Sequence, residues 1–113
     1  MKVFLHHIYE YKKGVRNLIL HTLPFRFKEK VCKTLEKNDI CYTIQEVSDQ
    51  KINVLFGDEI CVEVFKQFNK TSLSELSDEE DFILGIMLGY DRRKQCERYI
   101  SRINKQYKLN IVA

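Results

Sequence analysis

Cys41-Tyr42-Thr43-Ile44-Gln45-Glu46-Val47, then Ser48-Asp49-Gln50-Lys51, then Ile52-Asn53-Val54-Leu55-Phe56 and Gly57, decide the fold. The outer runs are rich in β-branched and aromatic residues, which suit a pleated surface. The polar stretch between them supplies a turn, so the pattern predicts a β-hairpin. Upstream, Asn17-Leu18-Ile19-Leu20-His21-Thr22-Leu23 is a short apolar run ended by Pro24. It reads as a buried strand, although Asn17 and Leu18 could also extend a helix. Pro24 begins the helix that joins this strand to the hairpin, at a position where its missing N–H costs little. Phe27, Val31 and Leu35 line one face of that helix, and Arg26, Lys30, Lys33 and Lys37 line another. Asn38-Asp39 marks its end.

The flanks are helical. Phe4, Ile8, Tyr11 and Val15 recur at helical spacing, and Gly14 is a natural stop for a helix over about residues 3–13. After the hairpin, Asp58 can cap a helix whose apolar stripe is Ile60, Cys61, Val64, Phe65 and Phe68. Thr71 to Leu76 is a polar connection. Ser77-x-x-Glu80 is a capping-box pattern ahead of an apolar helix, Phe82 to Tyr90. Asp78 to Asp81 crowd its first turn, where the helix dipole favours anions. Asp91 caps a last helix. Cys96, Tyr99, Ile100, Ile103 and Tyr107 lie on one side of it, and Lys94, Arg98, Arg102 and Lys105 on the other. The expected architecture is an α+β domain with a central β-α-β-β-α unit and five helices in total. Its three-stranded sheet is expected to be mixed, with the third strand in the middle. No internal repeat is visible.

A chain of 113 residues suits one domain, 1–113, and can bury roughly two-thirds of its unfolded surface without staples. With 44% hydrophobic and 31% charged residues, one Pro and four Gly, it is neither collagen-like nor low-complexity nor a disulfide-dense miniprotein. No stretch approaches a membrane span of about 18 apolar residues. The apolar start is too short for a signal-peptide core. The cysteines, Cys32, Cys41, Cys61 and Cys96, form no CxxC pair. A cytoplasmic protein with reduced thiols is the expectation.

The net charge of +3 conceals segregation. Residues 1–40 carry nine basic and four acidic side chains, and residues 91–113 carry seven and two. Residues 71–90 carry five acidic side chains and no basic one. Two helices therefore present basic stripes. Solvated faces are the plain reading of such stripes. The functional reading is an anionic partner, either an acidic protein surface or a phosphate backbone. Tyr99 and Tyr107 fall on the apolar side of the last helix, which weakens base stacking and hence nucleic acid.

Candidate chemistry is sparse. His6 and His7 point about 100° apart on a helix, and no zinc-like spacing adds His21 or a cysteine to them, so no metal site is expected. His21 reads as a buried or half-buried, hydrogen-bonded residue. Cys61 and Cys96 sit on apolar stripes and read as core thiols. Of the set, Cys96 beside Arg92 and Arg93 has the surroundings nearest to those of a reactive thiol, and Cys61 in a first helical turn comes second. Asp78 to Asp81 read as caps and not as catalytic carboxylates. Gly57 before Asp58-Glu59 lacks the glycine pattern of a nucleotide site, and the acids would repel phosphate. No catalytic residue and no cofactor is expected.

Gly85 and Gly89, four apart, allow another backbone to approach closely. The helix carrying them is apolar nearly all round, and such a helix is buried on all sides. A three-stranded sheet offers little to enclose it. A homodimer is the expectation, with Phe82, Gly85, Ile86, Gly89 and Tyr90 at the interface.

Three stretches carry a family resemblance: His6-His7-Ile8-Tyr9-Glu10-Tyr11-Lys12-Lys13-Gly14-Val15-Arg16-Asn17-Leu18, Asn53 to Asp58, and above all Glu79-Glu80-Asp81-Phe82-Ile83-Leu84-Gly85-Ile86-Met87-Leu88-Gly89-Tyr90-Asp91-Arg92-Arg93-Lys94-Gln95-Cys96-Glu97-Arg98-Tyr99. Over nearly its whole length the chain resembles the bacterial domain-of-unknown-function family number twenty-twenty-three. The resemblance implies three strands, five helices and dimerisation, and brings no catalytic residues with it. It also implies flavodoxin as a gene neighbour or fusion partner. The leading functional expectation is then a non-catalytic homodimer that binds a protein partner, with flavodoxin as the candidate. Arg92, Arg93, Arg98 and Arg102 are its expected contacts, because a basic helix face suits an acidic docking surface. RNA or DNA binding by the same stripes is the second reading, and a metal- or thiol-dependent sensor or enzyme the third.

Overall fold

β3 (Lys51–Gly57) is buried from Ile52 to Gly57, on both of its faces, and this places it in the middle of the sheet. The computed structural model describes residues 1–112, with side chains described through residue 105. β1 (Leu18–Pro24) and β2 (Cys41–Glu46) flank β3 in the order β1-β3-β2. Both pair with it antiparallel: His21 and Ile44 are each opposite Val54. The central third strand is as expected, but the sheet is antiparallel and not mixed. The reason is topological. α2 (Lys28–Lys37) carries the chain back so that β2 runs in the same direction as β1, and the hairpin return then inserts β3 between them. The two parallel strands never touch.

Alternation along the strands builds two cores. On one face Ile19, Leu23, Ile52, Val54 and Phe56 meet Phe4 and Ile8 of α1 (Lys2–Lys12) and Val31 and Leu35 of α2. On the other, Leu18 and Leu55 meet Val62 and Phe65 of α3 (Glu59–Gln67), Leu84 of α4 (Asp78–Met87) and Leu88 just past its end. Thr22 donates to Asn53 Oδ1 at 2.6 Å, which satisfies an amide that is nearly buried in the second core. α5 (Arg92–Val112) packs along α4.

The helix ends follow their caps. Asp58 accepts from the Ile60 N–H at 2.9 Å, and Asp91 from the Lys94 N–H at 2.9 Å. Ser77 and Glu80 form the reciprocal capping box. Two boundaries differ from expectation. Pro24 ends β1, and a 3₁₀ turn, Phe25–Phe27, precedes α2, which starts only at Lys28. Proline fixes its own φ but not the following ψ, and here its ψ of 142° keeps the chain extended. α4 stops at Met87, because Gly89 turns the chain out with φ +81°. No helix of the described residues is long and apolar enough to cross a membrane.

Candidate functional site

The acidic run and the C-terminal basic helix meet. Arg98 donates to Asp81 through Nε at 2.8 Å and Nη2 at 3.0 Å. Arg102 donates to Asp78 through Nε at 2.7 Å, and its Nη1 lies 3.2 Å from Asp81 Oδ1. Both carboxylates are mostly shielded, with side chains 9% and 19% exposed. The hydrogen bonds from Arg98 hold the Asp81 carboxyl below its usual range, and the Arg102 charge adds to the effect. Asp78 and Asp81 thus sit in the first turn of α4, where its dipole favours them, and also fasten α5. Tyr99 completes the seam: its ring lies 5.1 Å from Phe82, and its hydroxyl donates to Glu79 at 3.0 Å.

Of the four arginines expected to meet a partner, Arg98 and Arg102 are therefore engaged with α4. Arg92 and Arg93 are exposed, and Arg93 Nε contacts Glu97 at 3.1 Å. The basic stripe of α2 is more open. Arg26, Lys30, Lys33 and Lys37 line one shallow hollow of about 490 Å³ together with Thr34 and Glu29. Lys33 pairs with Glu29 at 2.9 Å. Arg26 lies over the Phe27 ring at 4.7 Å and Lys28 over Phe25 at 5.6 Å. Both rings pack against the first core, so they are not free to stack on bases. Charge segregation along the chain becomes asymmetry in space. The acidic segment cancels much of the C-terminal helix, and the α2 face keeps its positive charge.

The residues expected at a dimer interface separate. Gly85 is buried, and a Cβ there would collide with the Gln95 side chain. Gln95, itself 6% exposed, donates to the Asp81 carbonyl at 3.2 Å. The close approach that Gly85 permits is thus made by α5 of the same chain, through a side chain. Gly89 is exposed at the helix stop, and Phe82 is half-buried under Tyr99. Ile86 and Tyr90 are 40% and 56% exposed, and neighbouring Ile83 is 40% exposed.

Among the described residues no group of three or more His, Cys, Asp or Glu side chains converges as metal ligands would. His6 lies 3.5 Å from Glu10, and His7 is 3.5 Å from both Glu10 and Arg16. His7 and His21 come together with ring centroids 5.0 Å apart. The strand and helix periodicities could not show that pairing, because they say nothing of how α1 lies over β1. Burial, then the neighbouring His7, push the His21 pKa down. Burial likewise raises the Cys61 thiol, which makes it less nucleophilic than an ordinary cysteine. Cys41 and Cys96 are exposed. The expected apolar-side position of Tyr107 lies outside the described side chains.

Residues 2–102 match the family described as Protein of unknown function (DUF2023), and the chain belongs to that family. No curated protein matches the chain.

Proposed function

We propose that this member of the DUF2023 family is a non-catalytic, homodimeric cytoplasmic module that docks an acidic protein surface, with flavodoxin as the leading partner. The observation that carries the docking is the α2 trough, where four cations at helical spacing face solvent around a single acid, Glu29. Such a face raises the encounter rate with an acidic partner and orients it. Arg92 and Arg93 at the start of α5 form a second, smaller basic corner on the opposite side of the sheet. Ile86 on α4 and Tyr90 just past its end support self-association, being exposed apolar side chains beside a helix whose inner face is already filled.

Titration with a flavodoxin from the same cells tests the reading. Binding is expected at low salt and is expected to weaken as salt screens the surface. Lys30→Glu with Lys37→Glu abolishes it, whereas Arg92→Glu with Arg93→Glu leaves most of it. Binding that ignores the α2 pair overturns the docking site, and no binding at low salt overturns the partner. If the stripe instead tracks a phosphate backbone, an oligonucleotide binds with a steep logarithmic salt dependence. The occupied Phe25 and Phe27 rings argue for the protein partner.

A further inference from the structure

The hydrogen bonds at the two ends of β1 fix which way each of its peptide groups points. Asp58 N–H donates to the Asn17 carbonyl at 2.8 Å, and Phe25 N–H to the Gln50 carbonyl at 2.7 Å. Both pairs lie in register with the β1–β3 ladder. In an antiparallel ladder residues alternate between bonding their partner and turning away from it. The odd-numbered residues of β1 therefore bond to β3, and the N–H and C=O of Leu18, Leu20 and Thr22 point to the open side. Leu18 is wholly buried, and Pro24 has no N–H to offer. The usable edge is Leu20 and Thr22, two residues apart. Among the described residues, neither makes a backbone hydrogen bond outside the sheet.

Edges left like this invite pairing, and proteins normally guard them with charge, bulges or cover. β2 is guarded: outward-turned Glu46 is exposed and pairs with Lys28 at 2.8 Å, and Tyr42 donates to Glu36 at 2.6 Å. β1 has no Asp, Glu, Lys or Arg and no break in register. Hollows of about 660 and 600 Å³ open beside Thr22 and Leu20 respectively. The helices over β1 carry exposed apolar side chains on either side of the sheet, Leu5 and Tyr9 on α1 and Ile86 on α4, and Tyr90 follows just past the end of α4.

We infer that the free edge of β1 joins two copies of this chain, antiparallel about a two-fold axis at His21, into one continuous six-stranded sheet. This inference rests on the homodimer reading above and names its interface. Because the outward residues are two apart, Leu20 of each copy exchanges both backbone hydrogen bonds with Thr22 of the other, and none of the four groups is left over. The arrangement is self-complementary, as a two-fold interface must be. It brings α1 of one copy towards α1 of the other, and α4 towards α4, so the exposed apolar side chains meet their own kind. A lone foreign strand would satisfy the same peptide groups and leave those helix faces bare.

Sedimentation at high micromolar concentration tests this with two variants. Thr22→Pro removes an outward N–H and the hydroxyl contact to Asn53, and leaves every backbone bond to β3 in place. Thr22→Val loses the same hydroxyl contact to Asn53 but keeps the N–H. The wild type and Thr22→Val are expected to run as dimers and Thr22→Pro as a folded monomer, with its far-ultraviolet dichroism intact. Amide exchange on the wild type supplies the check if the proline variant does not fold: Leu20 and Thr22 are expected to become protected as concentration rises. A dimer that survives Thr22→Pro, or whose Leu20 and Thr22 amides exchange freely, overturns the β1 interface and leaves the homodimer standing. A wild type that stays monomeric overturns both, and protection of the edge only by an added strand peptide assigns it to a foreign partner.

Discussion

Arg98 grips the Asp81 carboxylate with two parallel hydrogen bonds, 2.8 and 3.0 Å long, across the seam between α4 and α5. The pair makes the last helix part of the domain, since Arg102 and Gln95 converge on the same residue. Bidentate pairs of this kind combine energy with geometric selectivity.

Loss of that grip has a measurable cost. Arg98→Met keeps the side-chain stem and removes the charge, leaving Asp81 to Arg102 alone. Stability in urea is expected to fall by about 1 kcal/mol, since Arg98 is 55% exposed and solvent screens the pair. Asp81→Asn lowers it by a similar amount, and the double variant by less than the sum. Additive losses would show that the two residues act independently.

Acid should loosen the same seam. Asp81 titrates below its unfolded value because Arg98 and Arg102 favour the ionised form. The folded state therefore binds fewer protons than the unfolded chain in this range. The stabilisation is complete above the unfolded carboxylate value of about 3.9 and disappears as pH drops through the lower folded value. Wild-type stability is expected to decline in that window more steeply than that of Asp81→Asn, which has no carboxyl at that position. Parallel curves for the two proteins would remove Asp81 from the account.

How much of this was legible in the chain depends on range. Asp58, Ser77-x-x-Glu80 and Asp91 each act within one helical turn, so the starts of α3, α4 and α5 could be read from residue type and spacing. The hairpin was legible because runs of strand formers flank the polar turn Ser48 to Lys51. Asp81 and Arg98 are 17 positions apart, and periodicity tells which side of a helix each occupies but not what faces it. From spacing alone the acidic run shows only as caps, and the arginines only as a basic stripe open to a partner. Gly85 was recognised as a point of close approach, but its occupant, Gln95, follows from how α5 lies on α4. Strand direction escaped for a similar reason, because it depends on which way α2 carries the chain back between β1 and β2.

Gly57 tests the junction of β3 with the start of β1. Its φ is +140°, and an added Cβ would collide with the Asn17 carbonyl and lie 3.1 Å from Leu18 Cα. These are backbone atoms, held by the Asp58 N–H bond to Asn17, and cannot swing aside. Gly57→Ala is expected to cost about 3 kcal/mol or more, combining conformational strain with overpacking. Gly14→Ala is the control. It has a positive φ of +77° with nothing near the added carbon, so only the strain applies and the loss is about 1 kcal/mol. Equal melting shifts in the two variants would refute a steric role for Asn17.

His21 gives the domain a second response to pH. It lies between Phe4 and His7, and burial acts with the nearby His7 to keep its ring neutral in the fold. A histidine with a lowered folded value binds its proton more readily when unfolded. Its contribution is therefore complete above the unfolded value of about 6.5 and is lost as pH falls. Resonance titration is expected to place His21 below that value. His21→Gln keeps a polar, uncharged side chain and should flatten the stability profile between neutral and mildly acidic pH, leaving the acid limb set by Asp81. His7→Gln removes the neighbouring charge, so His21 should titrate higher in that variant, by less than its full displacement because burial is the larger cause. A His21 that titrates at or above the unfolded value, or a His7→Gln variant that leaves it unmoved, would contradict the packing of α1 over β1 from which this behaviour follows.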